Sequence, residues 1–143
     1  MLQDLRQEVL RPRRALIDVV EEVLLGAVLD DLAGVDVVVR SLVDYRTADV
    51  TDLAAETARA ASHGATTVWD LSHAAGVLEL DLPAANVELA VGCTYKFLNG
   101  GPGAPAFAYV RSDVHEHLAQ PIWGWFGQTD QFAMDAPFQP RAG

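Results

Sequence analysis

Lys96 is the only lysine among the ten basic residues of this 143-residue chain. It lies in Gly92-Cys93-Thr94-Tyr95-Lys96-Phe97-Leu98-Asn99-Gly100-Gly101-Pro102-Gly103-Ala104-Pro105, just after an apolar run over 87–91. Glycine lacks a Cβ and tolerates positive φ, so the turn that follows lets backbone approach a ligand closely. A lysine beside an aromatic, between a strand end and such a turn, presents an amine to a pocket. Lysine is the side chain that condenses with a carbonyl once its lone pair is free. The competing reading is a solvated lysine at a strand end.

Trp69-Asp70-Leu71-Ser72-His73-Ala74-Ala75-Gly76 is the second informative stretch. An aspartate ending an apolar strand is costly unless something cationic meets it. A protonated pyridine nitrogen meets that need through a short charge-assisted hydrogen bond. His73 is spaced to reach the same ligand or to orient the carboxylate. Against these stand an N-cap role for Asp70 and a core or surface role for His73. Cys93 is alone, which excludes an internal disulfide and a cysteine zinc site, and reads as a small packed side chain rather than a nucleophile.

The elements that must position these groups follow from length and pattern. The length suits one domain that buries about two-thirds of its unfolded surface. Half the residues are apolar and 21% are charged, which is globular rather than disordered. A net charge of −10 argues against a nucleic-acid or acidic-membrane partner, which selects a basic face. No apolar run approaches the roughly 20 residues of a membrane span. The opening Met1-Leu2-Gln3-Asp4-Leu5-Arg6 has no apolar signal core, so a cytoplasmic location is expected.

In chain order, 4–10 opens a helix that Pro12 interrupts, and 16–20 is a short strand. Val23, Leu24, Ala27, Val28 and Leu32 fall at helical spacing over 21–32, and Gly34 ends that helix. The run 35–43 reads as a central parallel strand, because its three consecutive valines do not alternate. Thr51 caps a helix with Leu53, Ala54, Thr57, Ala58 and Ala61 facing inward, stopped near Gly64. Strands follow at 65–70, 87–94 and 106–110, and Ser112 caps a short helix to about Ala119. Strands alternating with helices predict an α/β layer with a largely parallel sheet. Such sheets bind ligands at the carboxyl ends of their strands, and Ser41, Asp70 and Lys96 all fall there.

A strand-end Asp, a His three later and a Lys after the next strand resemble a pyridoxal 5′-phosphate enzyme of aminotransferase-like fold. Val43-Asp44-Tyr45-Arg46-Thr47, the Asp70 and Lys96 stretches, and Gln120-Pro121-Ile122-Trp123-Gly124-Trp125-Phe126-Gly127 together resemble kynureninase, over about 35–140. The resemblance implies the large domain of the aspartate aminotransferase-like fold and hydrolysis of the Cβ–Cγ bond of L-kynurenine or its 3-hydroxy form. The products are anthranilate, or 3-hydroxyanthranilate, and L-alanine, in tryptophan catabolism and NAD biosynthesis. It implies that Lys96 holds the cofactor aldehyde and moves protons, and that Asp70 pairs with the pyridinium nitrogen. His73 lines the cofactor and Ser41 contacts it. Tyr95 hydrogen-bonds the phosphate and serves in acid-base chemistry, and Trp125 donates its indole N–H to the phosphate across the interface of a homodimer. Arg46 reads equally as a site cation or as a solvated loop arginine.

Family members are longer, with an N-terminal part that cups the phosphate and a C-terminal small domain. Residues 1–143 are therefore expected to be part of the cofactor-binding domain, with weak or absent cofactor binding and no turnover in isolation. The segment before 35 matches the family poorly. The alternatives are a related aminotransferase or cysteine desulfurase, or a non-catalytic remnant acting as an interaction module. A flavodoxin-like domain is distant, since no Gly-x-Gly-x-x-Gly loop follows the early strands.

Overall fold

The computed structural model describes residues 15–17, 32–118 and 124–133, with the single positions 137, 139 and 141. The expected helix over 4–10 and all of the one over 21–32 except Leu32 lie outside the described residues, as does Ala119. The chain divides into two units, 1–110 and 111–143.

The first unit is built on a five-stranded sheet: β1 (Ala15–Ile17), β2 (Val37–Ser41), β3 (Thr66–Asp70), β4 (Leu89–Cys93) and β5 (Ala106–Val110). Strand order follows chain order; β1 to β4 are parallel and β5 runs antiparallel to β4. The parallel sheet was expected from the unbroken valine run, and 106–110 is found at the expected bounds. The strands expected at 35–43, 65–70 and 87–94 are shorter at their ends, and β1 begins at Ala15, with 18–20 of the expected strand outside the described residues. Val35 is drawn into a turn by donating its N–H to the Leu32 carbonyl, and Val87 likewise to Leu82. The connection from β3 to β4 is a series of turns with no helix, so the alternation of strand and helix fails there.

One helix, α1 (Leu53–Ser62), connects β2 to β3. Its N-cap is Asp52 rather than Thr51: the Asp52 carboxylate accepts from Ala55 N at 3.0 Å, satisfying one of the first-turn donors. Gly64, at φ +78°, turns the chain out of the helix end as only glycine does without strain. The buried positions are Thr57 and Ala60, in a row with Leu53, whereas Ala54, Ala58 and Ala61 are exposed. Alanine is too small to define an apolar stripe, so the helix takes its phase from Leu53 and from the polar partner of Thr57.

That partner is Trp69, fully buried at the centre of a core with Leu42, Leu71, Ala74, Val87 and Ala90. Its indole N–H donates to Thr57 Oγ1 at 3.0 Å, and Thr57 donates in turn to the Leu53 carbonyl at 2.7 Å. A second cluster, Leu32, Val35, Val38, Ala60 and Ala65, packs the other end of α1 on the sheet. Arg40 and Arg59 share the Glu56 carboxylate at 2.8 and 2.9 Å across the helix–sheet seam. The second unit contains two 3₁₀ segments, Ser112–His117 and Trp125–Gly127. Ser112 begins the first of them without capping it; Arg111 stands at the cap position with no side-chain cap bond.

Thr57→Val keeps the shape of the side chain but leaves the buried Trp69 N–H without an acceptor. An orphaned buried donor costs about 1–3 kcal/mol. The denaturant midpoint should fall accordingly with the slope unchanged, and a variant as stable as the parent would show that water replaces the hydroxyl.

Candidate active site

The parallel register sets the first half of the site. Ser41 and Asp70 are direct partners at the carboxyl ends of β2 and β3, and Asp70 is level with Val91 of β4. Alternation along β3 sends Asp70 to the sheet face opposite Trp69. Its carboxylate is held at both oxygens: Oδ2 accepts from Ser41 Oγ at 3.2 Å and Oδ1 from Ser72 N at 2.8 Å. The Ser72 contact starts the turn over 71–77, so Asp70 also serves the local capping role. Partial burial pushes the carboxyl pKa up, but the hydrogen bonds from Ser72 and Ser41 and the charge of Lys96 outweigh it and hold it below the usual carboxylate value. Asp70 is an anion held ready for a cationic N–H.

The second half is the hairpin between β4 and β5. Thr94 closes it, donating its hydroxyl to the Pro105 carbonyl at 2.6 Å and accepting from Gly100 N at 2.8 Å. Asn99, at φ +57°, donates its N–H to the Lys96 carbonyl at 3.1 Å. Lys96 Nζ meets His73 Nε2 at 2.9 Å and stands 5.5 Å from the centre of the Tyr95 ring. Tyr95 is half exposed, with 50% of its surface open. The turn carrying His73 is fastened to this hairpin. Leu71 N donates to the Val91 carbonyl at 2.8 Å, and the Cys93 thiol points to the Ser72 carbonyl at 3.8 Å. Gly76, at φ +92°, lies so close that a Cβ there would meet Leu98 Cδ2 at 3.0 Å.

Ser41, Asp70, His73, Tyr95 and Lys96 thus gather at the ends of three adjacent strands. His73 meets Lys96 rather than the Asp70 carboxylate. Arg46 lies in a turn whose N–H groups at 46 and 47 donate to Asp44 Oδ1, and its guanidinium donates to the Tyr45 hydroxyl at 2.9 Å. Trp125 belongs to the second unit. It packs against Phe126 and Phe132, with ring centres 5.5 and 5.9 Å away, and its indole N–H donates to the Gln131 carbonyl. Sequence reasoning missed Thr94 as the residue that closes the lysine hairpin. Its signal was a hydroxyl at a strand end facing a proline, whose carbonyl flanks the following strand.

No protein-family model matches the chain. It is 44% identical over 107 residues to the kynureninase of Pseudomonas fluorescens, covering 75% of this chain and 26% of that protein. The Deinococcus radiodurans kynureninase is 47% identical over 109 residues, 76% of this chain and 27% of the relative. The chain is kynureninase-like over this segment. The Burkholderia mallei kynureninase is 43% identical over 115 residues, 80% of this chain. The chain spans about a quarter of the length of these relatives. Among solved structures, the cysteine desulfurase of Thermococcus onnurineus superposes with a TM-score of 0.67 at 18% identity, over 82% of this chain and 29% of that one. The Escherichia coli cysteine desulfurase CsdA gives 0.65 at 18%, over 83% and 28%. An aspartate aminotransferase of Thermus thermophilus gives 0.56 at 19%, over 65% and 27%. At those identities the likeness establishes the fold alone, the mostly parallel α/β sheet that this chain shares with these cysteine desulfurases and this aminotransferase.

Because the folded pKa of Asp70 lies below its unfolded value of about 3.9, its charge contributes stability that is present above about pH 4. That contribution is lost as the pH falls through the folded pKa. Asp70→Asn keeps the acceptor for Ser72 but removes the charge. The stability difference between parent and variant should be level above about pH 5 and shrink below pH 4. A difference independent of pH down to 2 would sink the ionised assignment.

Proposed function

We propose that the chain supplies the cofactor-holding part of a kynureninase-type hydrolase. It would act on L-kynurenine or 3-hydroxykynurenine and release L-alanine with anthranilate or its 3-hydroxy form. The observation that carries the proposal is the pairing of a held anion, Asp70, with the chain's single lysine amine at the ends of β3 and β4. The kynureninase relatives supply the substrate class.

The residues fit pyridoxal 5′-phosphate. Among the described residues Asp70 accepts from the Ser41 hydroxyl and from the N–H and hydroxyl of Ser72, and an ionised carboxylate takes about four hydrogen bonds, so room remains for a pyridinium N–H. Lys96 hydrogen-bonds to an imidazole rather than to a carboxylate, which leaves its amine available to an aldehyde. When bound, the cofactor ring acts as an electron sink for the pair released at the substrate α-carbon. Lys96 would hold the cofactor through its aldehyde carbon and afterwards carry a proton between carbon atoms. Asp70 would keep the ring nitrogen protonated, and Ser41, behind it, would steady that carboxylate. Tyr95, exposed beside Lys96, would donate to the phosphate and take part in acid-base steps; His73 would line the cofactor. Trp125 would reach the phosphate of a partner subunit in a homodimer, exchanging its Gln131 carbonyl for the phosphate. A cytoplasmic enzyme of tryptophan catabolism and NAD biosynthesis fits this chemistry. In this reading residues 1–143 form part of the large domain.

Two experiments test the proposal. Borohydride reduction with millimolar pyridoxal phosphate accumulates even weakly held cofactor, and peptide mapping should place it on Lys96 in preference to the α-amine. A folded chain labelled elsewhere would refute cofactor holding by these residues; no label matches the absent binding expected of the isolated segment, and the same labelling in the chimera then decides. In a chimera, residues 35–140 replace the matching stretch of the Pseudomonas fluorescens kynureninase. It should form anthranilate from kynurenine, and Lys96→Ala within it should be at least 1000-fold slower, about 4 kcal/mol in transition-state stabilisation. A folded, cofactor-loaded chimera that forms no anthranilate overturns the substrate assignment.

A further inference from the structure

Among the described residues, the one hydrogen-bond partner of Lys96 Nζ is His73 Nε2, at 2.9 Å. An ammonium has three donors and no acceptor, so opposite a charged lysine Nε2 must be the acceptor and Nδ1 must carry the ring proton. The other groups facing the amine do not compete for this place. Tyr95 presents its ring face, 5.5 Å away, not its hydroxyl. Asp70 acts on Lys96 through its charge, while its two oxygens are engaged by Ser41 and Ser72. His73 is therefore the base in contact with the amine, held there by the turn that Leu71 and Cys93 fasten to β4.

An ammonium cannot attack a carbonyl, because its lone pair is tied up in an N–H bond. We propose that His73 is the base that frees Lys96 for condensation with an aldehyde. One N–H bond of the Lys96 ammonium breaks, its electron pair stays on nitrogen, and the proton bonds to His73 Nε2. The nitrogen pair then forms the bond to the aldehyde carbon. The carbonyl oxygen takes one proton from that nitrogen to become a hydroxyl and a second from the His73 imidazolium to leave as water, while the nitrogen pair freed by the first transfer closes the C=N bond of a protonated imine. Proton and charge balance without any further reactant. The inference deepens the function proposed above, resting on it only for the identity of the natural aldehyde.

Because Lys96 is the only lysine, the step can be followed without any cofactor. The probe is formaldehyde with cyanoborohydride at neutral pH, with label at Lys96 measured by peptide mapping against the α-amine as internal standard. His73→Ala should slow labelling of Lys96 relative to the α-amine by about tenfold or more, at the low end for a positioned base. Added imidazole should restore the rate in proportion to its concentration. His73→Gln, which retains a hydrogen-bond acceptor but is no base, should remain slow while circular dichroism shows a native fold. Unchanged labelling in both variants overturns the inference. So does a slow His73→Ala that imidazole does not rescue while His73→Gln labels like the parent, since that pattern marks a positioning contact only. A parallel series with pyridoxal phosphate and borohydride, run on the chimera, separates the two proposals. Formaldehyde dependence without cofactor label on Lys96 refutes the cofactor reading and leaves His73 as the base; cofactor label with no dependence on His73 does the reverse.

Discussion

Trp69 and Asp70 are adjacent residues on opposite faces of one strand, and the arrangement of the molecule depends on that alternation. Trp69 is the largest fully buried side chain, and its N–H bond to Thr57 ties β3 to the helix that precedes it. Burial on one face fixes the register strongly, since a slip of one residue would exchange the two faces. Asp70 is thereby committed to the opposite face, level with Ser41, where Ser41, Ser72 and a nearby cation keep it ionised. The anion is thus placed by hydrophobic burial on the far side of the sheet.

The register of the strands shows which groups share that face. From β1 to β4 each parallel connection steps in the same direction. Val38 and Trp69 share the face on which α1 packs. The register places Val39, Val68 and Val91 with Ser41 and Asp70 on the other. Val91 is exposed there. Among the described residues the helical connection packs on one face, and the strand-end anion Asp70 lies on the other.

Much of this was legible in the sequence. Three valines in succession marked a central parallel strand, although only Val38 among them is buried, and the strand ends carrying Asp70 and Lys96 were legible as adjacent. The phase of α1 was not legible, because alanine-rich faces differ too little in apolarity and the deciding contact, Trp69 to Thr57, is polar. The caps were misplaced by one residue at Asp52 for a similar reason: Thr51 and Asp52 both suit the position, and tertiary geometry chose between them. The contact of His73 with Lys96 was hidden because it joins two turns 23 residues apart. Spacing gave each turn its residue but not the angle between them.

The antiparallel β5 was also unmarked in the sequence, yet the position of the lysine follows from it. A return to the sheet in parallel needs a crossover of a dozen or more residues, usually helical. The stretch from 94 to 105 is short and rich in glycine and proline, so the chain doubles back beside β4 instead. Its ends are then neighbours, and Thr94 can bond the Pro105 carbonyl across the hairpin's neck. Gly92 lets the strands close, since a Cβ there would meet the Phe107 ring at 2.4 Å. A lysine on a long crossover would be free to wander. One inside a hairpin pinned at its neck, and braced at Leu98 by the turn holding Gly76, has its backbone fixed. Only the side chain remains to be aimed, and His73 stands where it can aim it.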